Sequence, residues 1–404
     1  MNRSLLTAGA AALTLTSGAC TADAPAGPPA ATVRDSAGVT IVENPALSET
    51  SVLDWTIGEA PILDLGVVDG APEYQFYQVQ GAMRLDDGRI LVANAGSGEI
   101  RVYDEAGTHL DSWGSQGQGP GEFLHTTSMS LWAGSDSLAV WDLRTSRLSL
   151  FAPDGSFART QSFTGVGDVD RARSVWPLPN GHLVLMGLSF PDPEEMTGLI
   201  RVPEVFVVAQ RDGTLAAPVG SFPGLETFMA FSGERLNIVR LPLARGNVAA
   251  QVAGGMVIGS NERFHLDFFG PGGGLTRSIR VDTPPRPVTD ALLDAEVEAR
   301  AGAMPEEAQP GYRTSMQEMP VPETMPVFDE VLEDPDGHLW VRLFTLPSEG
   351  RTPEWVVFDG SGQILGRVNT PDGLEIFQIG EDFILGSMED ELEVEHIQLW
   401  PLSR

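Results

Sequence analysis

Arg240 and Arg245 flank the apolar stretch Leu241-Pro-Leu243. Two guanidiniums so placed could grip one carboxylate or phosphate through paired N–H donors. They stand out because the chain is acidic: 56 Asp and Glu face 25 basic residues, every one of them Arg, for a formal net charge of -31. Glu122, His125, Arg173, Asn247 and Asp329 are further candidates, far apart in sequence but alike in register within their repeats. Oxygen ligands suit calcium, so a calcium-dependent hydrolase or lyase built from distant segments is one reading of the set. The ordinary alternative for each is a salt bridge or a solvated surface.

Several chemistries are excluded by what is missing. There is no Gly-x-Ser-x-Gly, no His-Glu-x-x-His and no pair of cysteines for zinc. Gly117-x-Gly119-x-Gly121 is not a phosphate loop, because Pro120 removes an N–H donor and no Lys-Ser/Thr follows. Asp334-Pro-Asp-Gly337 lacks the downstream Glu of a calcium loop and reads as a hairpin turn. Nucleic acid is excluded as a partner by the charge, since phosphate neutralisation needs a basic face.

The elements that must position these residues repeat. The segment Met83–Asn94 recurs as Leu131–Asp142, a spacing of roughly 48 residues, in the range of propeller blades. Ile90 falls on Leu138, Val92 on Val140, Asn94 on Asp142 and Gly107 on Gly155, without a gap. Each unit reads as four short strands, a to d, with Gly turns such as Asp87-Gly88 where positive φ is needed. Similar units follow around residues 180, 256 and 339, and the last, Glu375–Leu402, supplies only three strands. Pro61–Gly66 resembles the strand d His109–Gly114, so it is expected to complete that last unit. The expectation is an all-β, six-bladed β-propeller of four-stranded antiparallel blades over 33–404, closed by an N-terminal strand. One short helix, Ala291–Arg300, followed by Pro-rich loop, lies in an insertion at 283–326.

Residues 1–20 have a basic start, an apolar run and small residues before Cys20, which is a signal peptide pattern. Ser17-Gly18-Ala19-Cys20 resembles the lipobox of bacterial lipoproteins, which implies lipidation of Cys20, the only cysteine; a plain cleaved signal is the alternative. Residues 21–32 read as a low-complexity tether. The blade pattern Gly-Arg-Ile-Leu-Val-Ala-Asn94 with Ile100-Arg-Val-Tyr-Asp104, and the linker Gly117-Gln-Gly-Pro-Gly-Glu-Phe123, are similar to NHL-repeat proteins. More closely they resemble bacterial six-bladed propeller lipoproteins of unknown function, as does Val33–Asn44. The resemblance implies the fold and no single activity.

Three long connections, Leu188–Val202, Pro223–Ala244 and Thr283–Pro326, are b–c or d–a links and so share one face of a meander. Loops elaborated over a rigid scaffold are the usual place for ligand contacts. That face, with the helix as a partial lid, is expected to be the working surface. The expected function is a non-enzymatic binding or scaffold module of the cell envelope, lipid-anchored at its N-terminus and monomeric. Its ligand would be a protein, glycan or small molecule, with calcium the one cofactor considered.

Overall fold

The computed structural model describes residues 31–404 apart from 48–51, 133–136, 193–194, 233–234 and 318, and omits the side chains of 232, 235, 240 and 317. Cys20, the signal segment and most of the tether lie outside the described residues.

Six antiparallel sheets follow one another as blades. Blade 1 runs from strand a at Val79–Arg84 to strand d at His109–Trp113, and blade 2 from Thr126–Leu131 to Phe157–Ser162. Blade 3 runs from Val169–Pro177 to Leu215–Phe222, and blade 4 from Asn247–Val252 to Leu275–Val281. Blade 5 spans Phe328–Glu333 to Ile364–Asn369. Blade 6 begins at Glu375–Ile379, and its third strand, Glu395–Ser403, pairs with Leu63–Leu65 as expected of the closing strand.

The alternating apolar residues of each sheet pack against the next blade. One core cluster joins Ile100 and Trp113 of blade 1 to Val140 and Phe151 of blade 2. Others join blades 2 and 3, 3 and 4, 4 and 5, and 5 and 6. The last joins Val79 and Ile90 of blade 1 to Leu385 and Ile397 of blade 6, which closes the ring. The large aromatics sit at these joints: Trp141, Trp340 and Trp355 are fully buried. Burying such a side chain contributes on the order of 2–3 kcal/mol.

Additions to the four-strand plan are informative. Val39–Asn44 lies parallel to the outer strand of blade 4 and Thr32–Ser36 pairs with it, making that sheet six-stranded. Thr32 is therefore the first rung of a hairpin and not the end of a tether. The insertion after blade 4 holds two helices where one was expected: α1 (Asp290–Gly302) and α2 (Gln309–Gln317). Thr289 caps α1 by accepting from the Leu292 N–H at 3.3 Å. The stretch 309–317 reads as loop because it holds Pro310 and Gly311, yet a proline in the first helical turn loses no hydrogen bond. Among the described residues, no helix is long and apolar enough to cross a membrane.

Candidate functional site

Inner strands share one irregularity. In blades 1, 2, 3, 5 and 6 the a–b pairing skips one residue of strand a: Gln80, Thr127, Arg173, Asp329 and Phe377. Blade 4 pairs without a skip from Asn247 to Val252. A bulge leaves its extra residue outside the ladder and re-aims the side chain. Arg173 and Asp329 thus occupy equivalent places in two blades, and both line one cavity of about 690 Å³.

All three insertions help to wall that cavity. Gly198–Arg201, from the first, pairs with Glu226–Ser232, which pairs with Arg235–Arg240 of the second, forming a separate three-stranded sheet. Met229 and Ile238 of this sheet line the cavity, as do Pro242 and, from α1, Arg300. Arg300 ties the insertions together: its Nε donates to Glu296 at 2.6 Å and its Nη2 to the Pro242 carbonyl at 2.9 Å. Leu243 packs with Leu292 and Leu293 of α1. The helix therefore stands beside the cavity, fixed to the second insertion.

The expected site residues divide. Arg173, Asn247 and Asp329 come together around this cavity. His125 lines an adjoining one of about 620 Å³, which shares Arg173, Leu188 and Phe190 with the first. Glu122 lies elsewhere: its carboxylate accepts from the Gly119 N–H at 2.6 Å and holds the inter-blade linker. Arg245 is committed to Glu226, with Nη2 at 2.5 Å from Oε1 and Nε at 3.1 Å from both oxygens. Burial pushes the Glu226 carboxyl up, but the hydrogen bonds and charge of Arg245 prevail and hold it below its ordinary value. Arg240 has its backbone in the insertion sheet, and its side chain lies outside the described residues.

Two of the oxygen-bearing candidates already have protein partners. Asp329 accepts from Arg342 Nε at 2.7 Å, and Asn247 donates its amide to Glu204 at 3.2 Å and to the Pro223 carbonyl at 2.7 Å. Among the described residues, the one trio whose atoms are close enough for a single ion is Asp334, Asp336 and His338. It sits in the a–b turn of blade 5, on the face away from the insertions, and Arg404 fills it, its Nη2 2.8 Å from Asp334 and its Nη1 on Asp336.

Sequence reading missed two groups. Glu330 and Asp329 share Arg342, whose Nη1 is 2.8 Å from Glu330. Burial pushes Glu330 up to about 7, and Asp329 is also raised by burial despite its arginine. Adjacent acids before an Arg-bearing strand were the available signal. Arg144 and Arg171 join Arg173 and His125 around the second cavity. Arg171-Ala-Arg173 was legible as a pair on one strand face, against so acidic a background.

Known proteins agree on the fold. A family described as a 6-bladed beta-propeller (DUF5128) matches residues 77–183, the region of the clean repeat. A protein described as exported (BF0058), from Bacteroides fragilis NCTC 9343, is 12% identical with a TM-score of 0.51, over 90% of this chain and 99% of its own. A member of the DUF4221 family from Bacteroides vulgatus ATCC 8482 is 11% identical, with a TM-score of 0.48 over 87% and 99%. Virginiamycin B lyase from Staphylococcus aureus is 10% identical, with a TM-score of 0.41 over 87% and 100%. At 12% identity the likeness to the Bacteroides fragilis protein is one of fold alone. A search of curated proteins finds no match.

Proposed function

We propose that this chain is an envelope-located binding module, without catalysis of its own, that takes a small ligand at the channel mouth under the insertions. The observation that carries the reading is convergence: three insertions from different blade connections wall one cavity of about 690 Å³. That volume lies within the range of small-molecule sites, roughly 300–1,000 Å³. Its walls are largely apolar, with Met229, Ile238, Leu241 and Phe344 among them, and Arg173, Glu204, Asn247, Arg300 and Asp329 belong to its polar lining. Export is supported by the N-terminal signal pattern and by the export ascribed to the Bacteroides fragilis relative. Attachment through a lipid on Cys20, kinship with NHL-like lipoproteins, a monomeric state and indifference to nucleic acid belong to the same proposal.

The neutral fluorescent probe N-phenyl-1-naphthylamine tests it. The wild type should bind about one probe per chain with enhanced emission. Ala244→Trp, which fills the cavity from its rim, should weaken binding at least tenfold and leave the melting temperature within a few degrees. Equal binding by both proteins would refute the cavity as the site.

A further inference from the structure

Most described arginines of this chain hold a carboxylate, as Arg34, Arg89, Arg101, Arg201, Arg286 and Arg313 do. Among the described residues, Arg144, Arg171 and Arg173 are in no salt bridge, and all three line the 620 Å³ cavity between blades 2 and 3. His125 and one acid, Asp170, line it too. In a chain of net charge -31, three guanidiniums without carboxylates at one place are a local reversal of sign.

Arg171 is held ready. Its Nε donates to Ser146 Oγ at 2.7 Å, and its Nη2 donates to the carbonyls of Leu143 at 2.7 Å and Arg144 at 3.1 Å. A guanidinium carries five N–H donors, and the two on Nη1 have no partner among the described residues. Arg173 is presented by its bulge, and the Trp141 indole of blade 2 fixes that bulge by donating to the Arg173 carbonyl at 3.0 Å.

The turn that supplies Ser146 departs from its twin. Ser146 corresponds, in the repeat register, to Gly98 of blade 1. Both have left-handed backbone, with φ of 52° at Ser146 and 68° at Gly98. Glycine adopts that region without penalty, whereas serine does not. At Gly98 a side chain would also come within 2.9 Å of the Gln116 backbone. Blade 2 instead admits a buried serine in a disfavoured conformation, and its hydroxyl meets Arg171. Strain kept beside a set of unpaired cations is a mark of use.

We infer that this cavity recognises the acidic head of a small organic anion, a carboxylate, sulfonate or phosphate monoester carrying an apolar body. Arg144, Arg171 and Arg173 bind the head, and Ser146 is a positioning residue. The body runs past Leu188 and the half-exposed Phe190, which both cavities share, into the larger cavity. The inference rests on the channel-mouth reading above and assigns its ligand class.

The experiment pairs N-phenyl-1-naphthylamine with 8-anilinonaphthalene-1-sulfonate, the same skeleton bearing an anion. The wild type should bind the sulfonate at least tenfold more tightly than the neutral probe, as expected of hydrogen bonds to a charged group. Arg171→Ala, at a residue that lines only the smaller cavity, should remove most of that preference and leave the neutral probe unaffected; Arg173→Ala should also remove most of it. Ser146→Ala and Ser146→Gly should each weaken the sulfonate about threefold, while Ser146→Gly melts no lower than wild type because the strain is gone. A serine with only a structural role would lower the melting temperature and leave the preference intact. Decanoate and decyl phosphate should displace the sulfonate at least tenfold more effectively than decan-1-ol, and their order tells carboxylate from phosphate. Equal affinity for the two probes, with Ala244→Trp still blocking both, would overturn the anion assignment and leave the cavity reading standing. Binding of neither probe would overturn both. Displacement by inorganic phosphate as strong as by decyl phosphate would overturn the apolar body.

Discussion

Blades 3 and 5 place opposite charges at the same point of the same bulge. Among the described residues, Arg173 in blade 3 and its neighbours Arg144 and Arg171 are in no salt bridge, and Asp170 is the one acid that lines their cavity. Asp329 in blade 5 is bound to Arg342, which also holds Glu330. Blade 5 sets Arg342 against its bulge acid and the neighbouring Glu330 within the fold, so these groups are engaged with one another. Blade 3 leaves its charge unanswered although the chain has acids in excess. The bulge is a property of the scaffold; whether its residue is neutralised separates a packing position from a binding position.

Breaking the joint that holds the blade 3 bulge should have the largest effect. Trp141 is fully buried and donates to the Arg173 carbonyl. Trp141→Ala should destabilise the protein by about 3–5 kcal/mol in urea unfolding. Trp141→Phe should cost less stability but still weaken sulfonate binding, because the bulge loses its hydrogen bond. Next comes the blade 5 pair. Arg342→Ala leaves two carboxylates without their cation and should cost about 3 kcal/mol at pH 8. The loss should shrink at pH 5, where Glu330 holds its proton, and a loss independent of pH would contradict the charge account.

A smaller effect isolates Glu330. Burial raises it to about 7 from an ordinary 4.5, so the folded form keeps its proton where the unfolded chain has lost it. Stability therefore falls as pH rises from the unfolded value through the folded one, and the cost is complete above it. Glu330→Gln cannot ionise. Its stability at pH 8 relative to pH 5 should exceed that of the wild type by about 1–3 kcal/mol. No change in that difference would place the raised carboxyl elsewhere.

Much of this comparison was legible in the sequence, for identifiable reasons. Gly88 and Gly107 mark the a–b and c–d hairpin turns within blade 1 because positive φ restricts the residue. The closing strand was legible because Leu63–Leu65 keeps the pattern of a strand d. The parallel docking of Val39–Asn44 on blade 4 was not, since a distant strand pair leaves no local signal. Helix α2 was hidden by Pro310 and Gly311. At the site, Arg173, Asn247 and Asp329 followed from register, because equivalent strand positions meet at the same end of a ring. Glu122 and Arg245 share that logic and fail it, each being bound by a partner no repeat specifies: the Gly119 N–H and Glu226. Arg144 lies in a b–c turn, and only the assembled blades bring it beside Arg171.

A crystal structure with 8-anilinonaphthalene-1-sulfonate bound tests the central claim most directly. The account predicts the sulfonate against Arg171 and Arg173 and the rings between Phe190 and the sheet formed by 198–201, 226–232 and 235–240. A probe seated on the face of the a–b and c–d turns, or at the Asp329–Arg342 side of the mouth with the three arginines untouched, would contradict it.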